Sequence, residues 1–328
     1  MRILVTGVAG QLGHDVMNEL SLYGIEGIGS DIAPQYSGID DGTPVTRMPY
    51  VAMDITDAAA VSRIIENLCP DAVIHCAAWT AVDAAEDEDK QAKVRAINAD
   101  GTRNIASVCS RIGAKMMYIS TDYVFNGLGE TPWKPDCRDY APLNVYGQTK
   151  LEGELAVSSL LEKYFIVRIA WVFGKNGKNF IKTMLSVGKT HDHLRVVCDQ
   201  IGTPTYTFDL AKLLVGMIQT EKYGYYHATN SELAPTQSGY TSEGCRTGYI
   251  SWYDFTKEIF RQAALLGHPE YSPDRLTVTP VTTEEYGISK AKRPFNSRLD
   301  KSKLSESGFK PLPDWQDALR RYLQELEI

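Results

Sequence analysis

No run of about 18 apolar residues occurs in this 328-residue chain, so no part of it is expected to cross a membrane as a helix. Positive charge is in short supply: 34 Lys and Arg stand against 41 Asp and Glu, a net charge of −7. That balance argues against nucleic acid or an anionic membrane surface as a partner. The six cysteines (Cys69, Cys76, Cys109, Cys137, Cys198 and Cys245) contain no C-x-x-C pair, and several fall in apolar strand or helix patterns. Buried free thiols in a reducing compartment are therefore expected. His191 and His193 flank Asp192 with no third ligand nearby, which reads as a solvated loop and not a metal site. A signal-peptide pattern is missing too, since Met1 leads directly into a strand pattern. There is no internal repeat or low-complexity tract. With 43% hydrophobic residues, the expectation is a soluble cytoplasmic protein of two domains or one large one.

What is present is a regular alternation of strand and helix patterns. Strands are expected over 2–6, 26–30, 51–55, 71–78, 115–120 and 165–169, and helices over 14–23, 58–68, 94–111 and 143–161. Such alternation implies an α/β fold, a doubly wound, Rossmann-like parallel sheet with right-handed crossovers. Ligands on these sheets bind beyond the carboxyl ends of the strands. Gly7, Asp31, Ala78, Thr121 and Trp171 all fall at such ends. After residue 173 the rhythm changes. Helices are expected over 180–187, 208–219, 252–266 and 315–326, with strands over 194–197 and 225–228, the latter rejoining the main sheet. Residues 231–249, rich in Ser, Thr, Gly and Pro, read as a mobile surface loop. The resulting division is a dinucleotide-binding domain over 1–175, with 207–230 returning to it, and a smaller, lid-like substrate-binding domain mainly over 176–328.

Two local patterns carry chemistry. The first is Gly7-x-x-Gly10-x-x-Gly13 between a strand and a helix. Glycines there permit a tight turn and let the backbone approach a pyrophosphate, which a helix N-terminus attracts. The spacing differs from the G-x-G-x-x-G fingerprint, but Asp31, at the end of the next strand, stands where a ribose diol is usually held. The second pattern is Tyr146-x-x-x-Lys150 on a helix. Residues at i and i+4 share a face. An ammonium there is expected to lie close to the phenol, lower its pKa and let it exchange a proton near neutral pH.

Taken together, Thr6-Gly7-x-x-Gly10-x-x-Gly13, Thr121 and Tyr146-x-x-x-Lys150 resemble the extended short-chain dehydrogenase/reductases. Ser120-Thr121-Asp122-Tyr123-Val124-Phe125-Asn126-Gly127, Arg168-Ile169-Ala170-Trp171, Asp199-Gln200-x-Gly202-x-Pro204-Thr205 and Arg293-Pro294-x-Asn296-Ser297-x-Leu299 are similar to the dTDP-4-dehydrorhamnose reductase subfamily. The resemblance runs nearly end to end. The stretches 34–49 and 231–249 are longer than that pattern requires.

The resemblance implies NADPH- or NADH-dependent reduction of the C4 keto group of dTDP-4-dehydro-L-rhamnose to dTDP-L-rhamnose, a precursor of bacterial surface polysaccharide. It implies Tyr146 as general acid, Thr121 as a donor to the developing oxyanion, and Lys150 as the group that tunes Tyr146 and holds the nicotinamide ribose. For the cofactor it points to Gly7, Gly10, Gln11, Leu12, Asp31, Asp54, Ile55, Ala77, Ala78 and Thr80 beside Tyr146 and Lys150. For the sugar nucleotide it points to Val82, Tyr123, Trp171 and Arg293 beside Thr121 and Tyr146. Asp31 is expected to repel a 2′-phosphate, while the family accepts NADPH as well. Some relatives bind Mg2+ at a dimer contact through surface carboxylates, so the resemblance leaves Mg2+ open as a further ligand without assigning residues to it; the chain is expected to be a monomer or homodimer. Two other functions share the scaffold: a sugar-nucleotide epimerase that retains its NAD, and a non-catalytic regulatory subunit. A dehydratase typically has Asp-Glu after the threonine, where this chain has Asp122-Tyr123.

Overall fold

The computed structural model describes residues 1–231 and 249–326. The loop expected over 231–249 therefore lies outside the described residues except at its two ends, and so does Cys245. In chain order the first half comprises β1 (Arg2–Thr6), α1 (Gln11–Leu22), β2 (Glu26–Asp31), β3 (Tyr50–Ala52), α2 (Ala58–Leu68), β4 (Ala72–His75), α3 (Glu88–Arg95), α4 (Thr102–Ile112), β5 (Lys115–Thr121), α5 (Val145–Leu160) and β6 (Tyr164–Ile169). The second half comprises β7 (Val172–Phe173), α6 (Phe180–Gly188), β8 (His193–Val197), β9 (Ile201–Gly202), β10 (Thr205–Tyr206), α7 (Thr207–Ile218), β11 (Gly224–His227), β12 (Ile250–Ser251), α8 (Trp252–Leu265), β13 (Thr277–Val281), α9 (Thr283–Tyr286), α10 (Ser302–Glu306) and α11 (Trp315–Glu325).

Seven strands form one sheet in the order β11-β6-β5-β4-β1-β2-β3, and every pair in it is parallel. A parallel sheet is covered on both faces, so its strands read as continuous apolar runs. Ile3, Leu4 and Val5 are fully buried, as are Val73, Ile74, Met116 and Met117. One face packs Val16, Met17 and Leu20 of α1 with the apolar side of α7. The other packs Val61 and Ile65 of α2 with Ile105 and Val108 of α4. A third apolar cluster, separate from the sheet, joins α6, α8 and α11 around Phe255, Ile259 and Leu319. The molecule is thus a Rossmann-like parallel sheet with a smaller C-terminal helical and sheet part, and β11 returns to pair with β6 as the sequence pattern predicts.

Several boundaries differ from the sequence pattern for physical reasons. The third strand is Tyr50–Ala52, shorter and earlier than 51–55, because the last bond to β2 is the Met53 N–H to the Asp31 carbonyl at 2.9 Å and the chain then turns, with the Asp57 N–H donating to the Asp54 carbonyl at 3.1 Å. The first helix begins at Gln11, three residues before the expected 14, since Gly10 already serves as its N-cap. The helix expected over 94–111 starts at Glu88 with a polar turn that has almost no apolar stripe, and widens into a π segment over Ala96–Gly101. β13, paired with β8, escapes a propensity reading because Pro280 sits inside it.

The helix α5 is held to the sheet by a buried ion pair. Arg168 Nε and Nη2 on β6 donate to the two Glu154 oxygens at 2.8 and 2.7 Å, and neither side chain is exposed to solvent. Removing one partner of such a pair costs about 3–5 kcal/mol, because a buried charge is left uncompensated.

Candidate active site

A cleft of about 1230 Å³ opens along the carboxyl ends of the sheet strands, between the sheet and the C-terminal part. All the residues singled out for the cofactor, the catalysis and the sugar nucleotide line it. At one end lies the glycine turn. Gly7 takes φ +73°, and a Cβ there would stand 2.6 Å from the Ala77 nitrogen. A Cβ on Gly13 would stand 2.3 Å from the Gly7 oxygen. The glycines are therefore required by the backbone itself, and they bring β1, β4 and α1 close together. Asp31 accepts the backbone N–H of Ala9 at 3.1 Å and that of Ile32 at 2.8 Å, which fixes its carboxylate at the rim of the turn. Asp54 is shaped into a turn by Thr56, whose N–H and hydroxyl donate to it at 2.9 and 2.7 Å.

The opposite wall holds Thr121, Tyr146 and Lys150. Asn144 caps α5 by accepting the Gly147 N–H at 2.8 Å, and Glu86 accepts the Val145 N–H at 2.8 Å, so the first turn carrying Tyr146 is pinned twice. A Cβ on Gly147 would come 2.3 Å from the Tyr123 carbonyl oxygen, so this glycine lets α5 lie against the Thr121–Tyr123 turn. The rings of Tyr123 and Tyr146 meet edge to face at 5.5 Å. Burial pushes the Tyr146 phenol above its ordinary pKa; a hydrogen bond with Thr121 pulls it back and the charge of Asp122 pushes it up again.

Lys150 departs from the expectation. Its ammonium donates to the Ile119 carbonyl at 2.7 Å and lies 4.1 Å over the Tyr118 ring, and the charges and hydrogen bonds that shift Tyr146 do not include it. The reason is geometric: the residue is only 3% exposed, and β5 offers it an acceptor. Burial lowers its pKa to about 7, opposed by the charges of Glu154 and Cys76.

Further along the cleft, Trp171 adopts φ +51°. A bulky residue in that region stores strain, and such positions cluster at functional sites. Its ring stacks on Trp252 with centroids 3.7 Å apart. Arg293 is not a free cation: Nη1 and Nη2 donate to the two Asp83 oxygens at 3.1 and 2.7 Å. That partner holds the Asp83 carboxyl below its usual range.

Sequence reasoning missed several residues of this cleft. Asp122, 1% exposed, accepts the Thr121 hydroxyl at 3.1 Å, and burial raises its pKa to about 6. Behind the cleft lining, Asn98 in the π segment accepts the Trp79 N–H at 2.8 Å and donates to Thr149 at 3.1 Å, tying that segment to α5. Trp252 and Asp83 come from distant parts of the chain. Asp122 stood inside a quoted motif and could have been found; the pairing of the others is set by tertiary packing alone. Among the described residues no group of three or more His, Cys, Asp or Glu could hold a metal ion, and no helix is long and apolar enough to cross a membrane.

The donor set fits a dinucleotide: a glycine turn at a helix start, a carboxylate at the next strand end, and small residues, Ala77 and Ala78, at the end of β4. Comparison with known proteins agrees. The family model described as RmlD substrate binding domain matches residues 1–328. The spore coat polysaccharide biosynthesis protein SpsK of Bacillus subtilis (strain 168) is 36% identical over 324 residues, 99% of this chain and 97% of its own. A dTDP-4-dehydrorhamnose reductase of Aggregatibacter actinomycetemcomitans is 36% identical over 327 residues, 97% of either chain. The crystal structure of dTDP-4-dehydrorhamnose reductase from Bacillus anthracis str. Ames, in complex with NADP, is similar with a TM-score of 0.81 at 36% identity, covering 99% of both chains.

Proposed function

The chain belongs to the dTDP-4-dehydrorhamnose reductase (RmlD substrate binding domain) family, and on that premise we propose that it is an NAD(P)H-dependent oxidoreductase reducing the C4 keto group of dTDP-4-dehydro-L-rhamnose to dTDP-L-rhamnose. The observation that carries the reading is the convergence of Thr121, Tyr146 and Lys150 in the same cleft as the glycine turn and Asp31.

In this reading Gly7, Gly10, Gln11 and Leu12 hold the cofactor pyrophosphate, Asp31 the ribose diol, and Asp54, Ile55, Ala77, Ala78 and Thr80 the walls beside them. When bound, the reduced nicotinamide supplies a hydride to the C4 carbonyl carbon. Negative charge then develops on the carbonyl oxygen. Tyr146 donates its phenolic proton to that oxygen, and the high pKa that burial imposes keeps the phenol protonated until it is needed. Thr121 donates a hydrogen bond to the same oxygen. Lys150, anchored on the Ile119 carbonyl, holds the nicotinamide ribose. Val82, Tyr123 and Trp171 flank the sugar. Arg293, oriented by Asp83, faces the diphosphate, which suits a planar, bidentate guanidinium. Residues 1–175 with 207–230 serve the cofactor and 176–328 mainly the substrate, in the cytoplasm, where nucleotide sugars are made.

The test is steady-state turnover with dTDP-4-dehydro-L-rhamnose and either NADPH or NADH. Substrate-dependent consumption of reduced cofactor with dTDP-L-rhamnose as product is expected, and the two rates rank the cofactors. A protein that purifies with tightly retained NAD and consumes no reduced cofactor would be an epimerase instead; one that binds cofactor and turns nothing over would be a regulatory subunit.

A further inference from the structure

The loop between β7 and α6 reaches back to the glycine turn. Asn176 in that loop is only 5% exposed. Its Nδ2 donates to the Ala9 carbonyl at 2.8 Å and to the Gly10 carbonyl at 3.3 Å, while its Oδ1 accepts the Ile39 N–H at 3.3 Å. One carboxamide thus joins the glycine turn, the long segment after β2, and the loop leading into the C-terminal part. Asn179, three residues on, donates to Gln11 Oε1 at 3.0 Å and caps α6.

The peptide bonds of the turn are trans. In a trans peptide the N–H points opposite to the preceding C=O. With the Gly10 carbonyl turned to Asn176, the Gln11 N–H faces the other way, out of the start of α1. Gln11 and Leu12 belong to the first turn, where N–H groups have no intrahelical acceptor, and both residues line the cleft. We propose that Asn176 is a positioning residue for dinucleotide binding. The Gly10 N–H is itself donated to the Gly7 carbonyl at 3.0 Å, so the group at issue is the Gln11 N–H: together with the His14 N–H, which donates to the Gly10 carbonyl at 3.3 Å, Asn176 holds that carbonyl on the far side of the turn and keeps the Gln11 N–H aimed at the cofactor pyrophosphate. The proposal rests on the cofactor reading above and adds a residue from outside the glycine motif to it.

The experiment compares wild type, Asn176→Ala and Asn176→Asp. Asp keeps the acceptor for Ile39 and loses the donor to both carbonyls. The affinities of ADP-ribose, which carries the pyrophosphate, and of adenosine, which does not, are measured by calorimetry or NMR titration. Steady-state kcat and KM for NADH and NADPH accompany them. Both variants are expected to bind ADP-ribose roughly tenfold more weakly, the effect of one lost hydrogen bond to a charged group, with adenosine affinity retained. KM for the cofactor rises in step, while kcat at saturating cofactor stays within about twofold. Equal losses for the two fragments, or an unchanged ADP-ribose affinity, overturn the proposal alone; retained adenosine binding reports a folded site. A wild-type protein that binds neither dinucleotide overturns the cofactor reading and this proposal with it.

Discussion

Burial acts on Tyr146 and Lys150 in the same sense chemically, disfavouring the charged form of each. For the tyrosine this means a protonated acid poised under the Thr121 hydroxyl. Replacing it with phenylalanine removes the proton and little else, so Tyr146→Phe is expected to lower kcat by about 10²–10⁴ while dinucleotide affinity stays near wild type. Stopped-flow turnover alongside a cofactor titration checks this, and undiminished turnover would end the acid assignment. For the lysine the consequence is a stability effect. Its folded pKa is depressed to about 7 from an ordinary 10.5. Such a group contributes stability that is fully present above the unfolded pKa and lost as the pH falls through the folded one. In cofactor-free protein, Lys150→Met should therefore melt increasingly above wild type as the pH is lowered from about 10 to about 6. A difference in melting temperature independent of pH would contradict the assignment.

At the scale of elements, α5 lies against β5 and the π segment because its inward face is cut down to glycine. A Cβ on Gly153 would stand 2.3 Å from the Tyr118 hydroxyl and 2.8 Å from the Asn98 carbonyl oxygen. Gly153→Ala is expected to cost at least about 1–3 kcal/mol through overpacking and to lower kcat by displacing Tyr146. Gly216, in α7, meets nothing within 4 Å. Gly216→Ala is expected to stabilise the protein by about 0.5–1 kcal/mol, the helix-propensity gain of alanine over glycine. Denaturant melts of the two variants decide both, and a shift of the same sign in the two would break the packing argument. Legibility divides along the same line. The elements with an apolar stripe, such as α2, were readable residue by residue. The turn at the front of α3 was not, because charge surrounds it on all sides. Nor was the π segment, since one added residue per turn leaves no mark in composition; π segments nonetheless gather at functional sites, and this one carries Asn98.

For the molecule as a whole, the parallel sheet was legible because both of its faces are covered, so each strand announces itself as an apolar run between turns. The sheet then dictates where the site lies. Gly7, Asp31, Thr121 and Trp171 could be gathered into one place from their positions at strand ends alone. What could not be read is everything that the C-terminal part adds across the cleft: the Trp252 ring on Trp171, the Arg293 guanidinium on Asp83, the Asn176 carboxamide on the glycine turn. Each is a contact between residues far apart in sequence, fixed only when the two parts pack. The charge placed on Lys150 near Tyr146 failed for the same reason, because helical spacing says which face a side chain occupies and not which acceptor on a neighbouring strand it finds. On the proposed function these parts form one reductase site in which a hydride reaches C4 of the sugar while Tyr146 supplies the proton. The most direct measurement is turnover of dTDP-4-dehydro-L-rhamnose with NADPH or NADH deuterated at the transferring position of the nicotinamide, followed by NMR of the product. One deuterium at C4 of dTDP-L-rhamnose, formed by wild type and not by Tyr146→Phe, is the predicted result; deuterium absent from the product, or product formed without loss of the reduced cofactor, would contradict the account.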